Sequence, residues 1–140
     1  MRKDFELVEY TADIGIRAFG IDLKETFQHA AVGMFSLITD INKVNELLYR
    51  DVEVSAPDRE ILLVEWLNDL IFLFDTEQLL FKRFDIGTLT DTGLKAHCHG
   101  EKVDKSRHQL KRGIKSATYH MLKVEKVKNG SYLAEVLLDI

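Results

Sequence analysis

Three groups of side chains in this sequence have types and spacings that could do chemistry. The first is a set of carboxylates at expected strand or helix ends: Asp13, Asp40 and Asp139. Asp139 closes an otherwise apolar run, Val136-Leu137-Leu138. A carboxylate drawn into such a setting needs a partner or a metal. Carboxylates, backbone carbonyls and a terminal carboxylate together suit hard cations, namely Ca²⁺, Mg²⁺ or Mn²⁺. The plainer alternative is that each aspartate caps a turn or faces solvent.

The second group is His97-Cys98-His99. Two histidines at i and i+2 on a strand share a face and could bind zinc, with Cys98 on the opposite face. A third ligand would have to come from His29, His108 or His120. The alternative is a solvated face with a buried free thiol behind it. The third group is a basic run, Lys102, Lys105, Arg107, Lys111, Arg112 and Lys115, interspersed with Glu101 and Asp104. It could meet phosphates or an acidic partner, or it could simply be a solvated loop. The aromatics Phe27, Phe35, Trp66, Phe72 and Phe74 are assigned to the core.

Common catalytic signatures are missing. The chain has no G-x-x-x-x-G-K-[ST], G-x-G-x-x-G, G-x-S-x-G, H-E-x-x-H or EF-hand loop. Nothing pairs a nucleophile with a base, which argues against an autonomous reaction.

The elements that must position these groups follow from periodicity. Asp4–Glu9 and Ile14–Gly20 read as strands around Tyr10-Thr11-Ala12-Asp13. Asp22 and Glu25 form a capping-box pattern ahead of Leu23, Phe27, Ala30, Ala31, Met34, Phe35 and Ile38, a helical stripe ending near Thr39-Asp40. Arg50–Ala56 alternates as a half-exposed strand. Pro57-Asp58 opens a second helix, from Arg59 to about Thr76, with a narrow polar stripe of Glu65, Asn68, Asp69 and Thr76.

Leu79–Ile86 and Thr92–His99 are expected as a hairpin, and Gly100–Gly113 as an exposed, mobile loop. Ala117–Val127 and Tyr132–Ile140 form a second hairpin through Asn129-Gly130. Pairing Lys128 with Ser131 would set His120 opposite Asp139 and Tyr119 opposite Ile140. The expected fold is α+β: a two-layer, mostly antiparallel sheet with two α-helices packed on one face.

Composition bounds the class. The chain has 140 residues, 46% of them hydrophobic and 30% charged, with a net charge of −4. That fits a single domain over residues 1–140, able to bury roughly 68–70% of its unfolded surface. One Cys excludes an intramolecular disulfide framework. No apolar core follows the first basic residues, and no apolar stretch is long enough to span a bilayer. A cytoplasmic protein with no membrane partner is therefore expected. The slight acidity argues against bulk nucleic-acid binding.

Several segments together resemble the archease family. They are Tyr10-Thr11-Ala12-Asp13-Ile14-Gly15, Ala18-Phe19-Gly20, Met34-Phe35 with Thr39-Asp40, and Glu60 to Asn68. Gly100-Glu101, Ile114 to His120 and Asp139-Ile140 continue the match in order to the end of the chain. Two positions depart from the family pattern. Tyr10 stands where the family usually has His, and Ser116 where its K-A-x-T-Y-H motif has Ala.

The resemblance implies a protein cofactor, not an enzyme. Its expected role is to activate an RtcB-type RNA ligase in tRNA splicing and RNA repair. That ligase uses GTP and Mn²⁺ to guanylylate its own histidine. The family member promotes this step and multiple turnover, and can widen the nucleotide triphosphates accepted. The association would be transient, with tRNA engaged only indirectly; oligomeric state is not implied.

The resemblance also implies a divalent metal, Ca²⁺ first and Mn²⁺ or Mg²⁺ as alternatives, held by Asp13, Asp139 and a main-chain or terminal oxygen of Ile140. Asp40 and Lys115 match positions implicated in ligase activation, with Tyr10 and His120 in a supporting shell. Two other roles stand beside this one: a chaperone-like partner of a tRNA methyltransferase, and a stand-alone metal-dependent hydrolase.

Overall fold

The computed structural model describes residues 3–140. In chain order its elements are β1 (Phe5–Glu9), β2 (Asp13–Gly20), α1 (Leu23–Ile38), a 3₁₀ turn (Ile41–Lys43), β3 (Leu48–Ser55), α2 (Arg59–Glu77), β4 (Leu79–Leu89), β5 (Gly93–Lys102), β6 (Ser116–Ala117), β7 (Lys123–Lys126) and β8 (Tyr132–Asp139). The fold is α+β with two α-helices, and every strand pairing is antiparallel. The strands are shared between two sheets. One has the order β1-β2-β8-β6, with β7 also on β8; the other has the order β3-β5-β4.

Both helices start where side-chain caps satisfy free backbone N–H groups. Asp22 accepts from Glu25 N at 2.8 Å, and the Glu25 carboxylate accepts from Ile21 N at 3.1 Å. Asp58 accepts from Ile61 N at 2.9 Å. α2 stops at Gln78, whose left-handed backbone (φ 56°) turns its N–H onto Phe74 O.

Each sheet turns one face to the helices and the other to solvent. In β2, Ile14, Ile16 and Ala18 are buried; in β5, Leu94, Ala96 and Cys98 are buried while Lys95 and His97 are exposed. α1 packs on β2 and β4, and α2 on β3 and β6. One hydrophobic cluster therefore draws on both helices and both sheets. At its centre the Trp66 indole N–H of α2 donates to Phe27 O of α1 at 3.1 Å. Among the described residues, no helix is long and apolar enough to cross a membrane.

Three expectations need correction. The last hairpin turns through three residues, Lys128 to Gly130, rather than two. Gly130 takes φ 87° and Val127 N bonds Ser131 O, the geometry of a turn followed by a left-handed glycine. Five residues, Thr118 to Leu122, then separate the two segments that pair in register with β8. The register consequently puts Ser116, not His120, opposite Asp139, and Tyr119 does not face Ile140.

The segment after Gly100 is not a free loop. β5 runs on to Lys102, and Glu101 and His108 are 3% and 4% exposed. Finally, Phe72 is 60% exposed on the outer side of α2 instead of lying in the core.

Candidate functional site

Side-chain alternation places Asp13 and Asp139 together. β2 pairs β8 with Asp13 directly opposite Asp139, and β6 adds Ser116 on the other side of Asp139. The flanking Ile14 and Leu138 are buried in the core, so the two aspartates sit on the opposite, outer face at the sheet end. Facing residues of this kind hold their Cβ atoms about 4.5–5.5 Å apart, and like charges there repel. Neither carboxylate accepts a hydrogen bond or ion pair from a described residue. The pair thus concentrates negative charge without a cation partner among the described residues.

Lys115 is fixed beside them through its backbone. Its N–H donates to Asp139 O at 2.8 Å, while its side chain is exposed. The next residues are clamped by α2: the Asn68 amide donates to Ala117 O at 3.2 Å and accepts from Ala117 N at 2.7 Å. A side-chain amide here stands in for a neighbouring strand on the free edge of β6. Thr118 adds its N–H and hydroxyl to Leu137 O, at 2.9 and 3.1 Å. The Tyr119 hydroxyl lies 3.4 Å from the Glu65 carboxylate.

α1 brings Asp40 to the same end. His29 contacts Phe19 O at 2.5 Å, and Gly33 lies against Phe5 and Ile16, so the helix runs back along β2 toward Asp13. Asp40 follows directly, exposed, capping the 3₁₀ turn by accepting from Asn42 N at 3.1 Å. Tyr10 is bonded through its N–H to Asp13 O at 3.0 Å. Its ring lies over Gly15, one register step from the aspartates, in a shallow depression shared with Met121 and Leu137. His120 is exposed in the five-residue excursion. The structure thus pairs Asp13 with Asp139, bonds the Lys115 and Tyr10 backbones to them, sets Asp40 after the end of α1 that runs toward Asp13, and gives His120 no pairing with Asp139.

The other two sequence features resolve differently. His97 contacts Asp51, and His99 lies 3.0 Å from Asp85. Arg83 bridges Asp85 and Glu46. This face is a ladder of paired charges, with Tyr49 edge-on to His97. His29, His108 and His120 contribute no third zinc ligand, because no group of three or more His, Cys, Asp and Glu among the described residues is placed to hold a metal. A cation at the sheet end would accordingly rest on two side chains and main-chain oxygen. Behind the ladder, burial pushes the Cys98 thiol up to about 12, helped by the charges of Asp69, Asp85 and Asp51. Burial, then the Glu65 charge, also raises the Asp69 carboxyl beside Asn68.

The basic run contains the element that sequence patterning misses. Arg107 and His108 both turn inward onto Glu101. The signal was the Gly100-Glu101 pair. A Cβ at Gly100 would lie 1.8 Å from Leu80 O, so only glycine lets β5 pass β4 there.

Comparison with known proteins gives a consistent picture. The model of the archease protein family matches residues 5–140. The protein archease of Pyrococcus abyssi is 40% identical over 99% of both chains. That of Methanosarcina acetivorans is 37% identical over 99% of this chain and 97% of its own. The solution structure of protein 1598 from Methanobacterium thermoautotrophicum superposes with a TM-score of 0.83 at 36% identity, covering 98% and 99% of the two chains. A Thermotoga maritima archease, described as a possible chaperone, shares the fold at a TM-score of 0.64 and 20% identity, over 100% of this chain and 98% of its own.

Proposed function

From the premise that this chain belongs to the archease family, we propose that it activates an RtcB-type RNA ligase in the cytoplasm. It promotes GTP-dependent guanylylation and repeated turnover, as a transient protein partner and not as an enzyme. The observation that carries this reading is the opposed pair Asp13 and Asp139 with Lys115 hydrogen-bonded beside them.

The donor set fits a hard divalent cation. Two facing carboxylates with no counter-charge among the described residues, next to the main-chain oxygen of Ile140 at the same strand end, match the oxygen preference of Ca²⁺, Mn²⁺ or Mg²⁺ and not of Zn²⁺. When bound, such a cation neutralises the pair and can polarise a phosphate oxygen. The residues themselves do the rest. β2 and β8 hold the carboxylates rigidly in register. Lys115, anchored through its N–H to Asp139 O, carries an exposed ammonium suited to a phosphate or a carboxylate of the ligase. Asp40 presents a second acidic group on the same end, and Tyr10 covers the depression at Gly15.

Ligation with limiting ligase, GTP and Mn²⁺, with and without this protein, tests the reading. Product turnovers rise in its presence if the assignment holds, and an equally slow ligase refutes it. A second reading is a chaperone-like partner of a tRNA methyltransferase; of the Thermotoga relative it is said only that it is a possible chaperone. Pull-down against purified ligase and methyltransferase separates the two.

A further inference from the structure

Glu101 is sealed from solvent at 3% exposure, yet it lies outside the residues assigned to metal or ligase. Its carboxylate accepts from Asn45 N at 2.5 Å and takes the Arg107 guanidinium on its other oxygen. His108 is equally enclosed. Its Nδ1 accepts from Asp104 N at 2.9 Å, so the ring proton lies on Nε2. That nitrogen donates to Lys43 O at 3.1 Å and faces Glu101 at 3.2 Å. Arg107 also reaches Lys43 O at 3.3 Å and Asp104 at 3.3 Å. One buried carboxylate therefore ties β5 to residues 43–45 on one side and 104–108 on the other.

The stitching continues past the lock. Thr39 donates its hydroxyl to Gln109 O at 2.8 Å, and Lys111 N donates to Ile38 O at 2.7 Å. Lys115 N then donates to Asp139 O at 2.8 Å. Asp40 sits within the first stitched segment, 38–45. Lys111 and Lys115 are four residues apart, a chain length of at most about 14 Å. The 104–115 segment is thus a strap with three anchors: the Glu101 lock, the end of α1, and the end of β8.

We infer that Glu101 and Arg107 are positioning residues for ligase activation: the buried Glu101 carboxylate and its half-exposed partner Arg107 hold the strap so that Lys115 is presented at the end of β8 beside the Asp13–Asp139 pair. The inference rests on the ligase reading. It assigns a purpose to the Glu101 network, which lies apart from Asp13, Asp139 and Lys115, and it explains why Arg107 and His108 turn onto Glu101 while the lysines of the same stretch stay exposed.

The test uses the full chain with Arg107→Ala and Glu101→Gln, each alone and combined with Lys115→Ala. Arg107 is half-exposed and lies outside the hydrophobic cluster, so its variant keeps the test decisive if Glu101→Gln fails to fold. Amide exchange should accelerate at Asn45, Lys111 and Lys115 in Arg107→Ala. Stimulation of guanylylation at saturating protein should drop at least fivefold. On the Lys115→Ala background Arg107→Ala should cause no further loss, because both changes act through one group. A purely structural role would instead multiply the two losses. Full stimulation by Arg107→Ala, multiplied losses, or unchanged protection of the Lys115 amide would overturn the inference. If the unaltered protein fails to stimulate the ligase, the ligase reading falls, and the exchange measurement alone decides whether the strap is locked.

Discussion

Asp13 and Asp139 carry opposing expectations that separate a charge pair from an ordinary strand end. Without divalent ions they repel, so Asp13→Asn should raise stability slightly, by about 0.2–1 kcal/mol. With Ca²⁺ or Mn²⁺ at 100-fold its dissociation constant the unaltered protein gains about 2.7 kcal/mol, and the variant should gain nothing. Thermal melts in chelator and in metal check both signs; equal metal stabilisation of the two proteins would place the ion elsewhere. Cys98 makes a second residue-level test. Its thiol, sealed behind the β5 ladder and pushed up to about 12, should resist a thiol reagent at pH 8 in the native state and react on unfolding. The carboxylates were legible in the sequence because an aspartate ending Val136-Leu137-Leu138 breaks the apolar pattern. Their direct opposition was not, since it is a property of two strands more than a hundred residues apart.

β6 is the element on which the position of Lys115 depends, and it is only two residues long. Asn68 supplies two of the hydrogen bonds that keep it in place. Asn68→Ala leaves the buried Ala117 N–H unpaired, at about 1–3 kcal/mol. It should lower the melting temperature and weaken ligase stimulation together, whereas Lys115→Ala should change stability by no more than about 0.5 kcal/mol. Both helices were legible in the sequence, with their caps, because Asp22, Glu25 and Asp58 act locally. The last hairpin shows where local rules fail. Asn129-Gly130 marks a turn correctly, but one more turn residue shifts the whole register. The five-residue excursion before β7 shifts it again, and nothing between Thr118 and Leu122 announces it. Sequence periodicity likewise could not turn Arg107 and His108 inward, because their partner Glu101 belongs to β5.

Across the whole molecule, α1 returns along β2, and the 104–115 strap crosses from the end of α1 to the end of β8. The stability of that strap is linked to pH through Glu101. Burial opposes its charge, but the Asn45 N–H and the Arg107 guanidinium outweigh it and hold the carboxyl below its ordinary value. A group lowered in this way contributes fully at neutral pH, and its contribution is lost as pH falls through the folded-state value. The stability advantage of the unaltered protein over Glu101→Gln should therefore shrink steadily in acid, read by denaturant unfolding from pH 7 to pH 3. A gap that stays constant would mean that the carboxylate charge is not what holds the strap.

The central claim is that the end bearing Asp13, Asp139 and Lys115 exists to drive a ligase through its slow step. Its most direct measurement is the fraction of RtcB-type ligase carrying covalent guanylate after a fixed time, with ligase limiting and GTP and Mn²⁺ present. The unaltered protein should raise that fraction. Lys115→Ala, with an unchanged melting temperature, should lower the stimulation at least tenfold, the loss expected when a desolvated charge contact of about 2–5 kcal/mol is removed. Lys111→Ala, on the same strap but away from the aspartates, should stimulate nearly as well as the unaltered protein. Equal stimulation by Lys115→Ala and the unaltered protein, or none by either, would contradict the account.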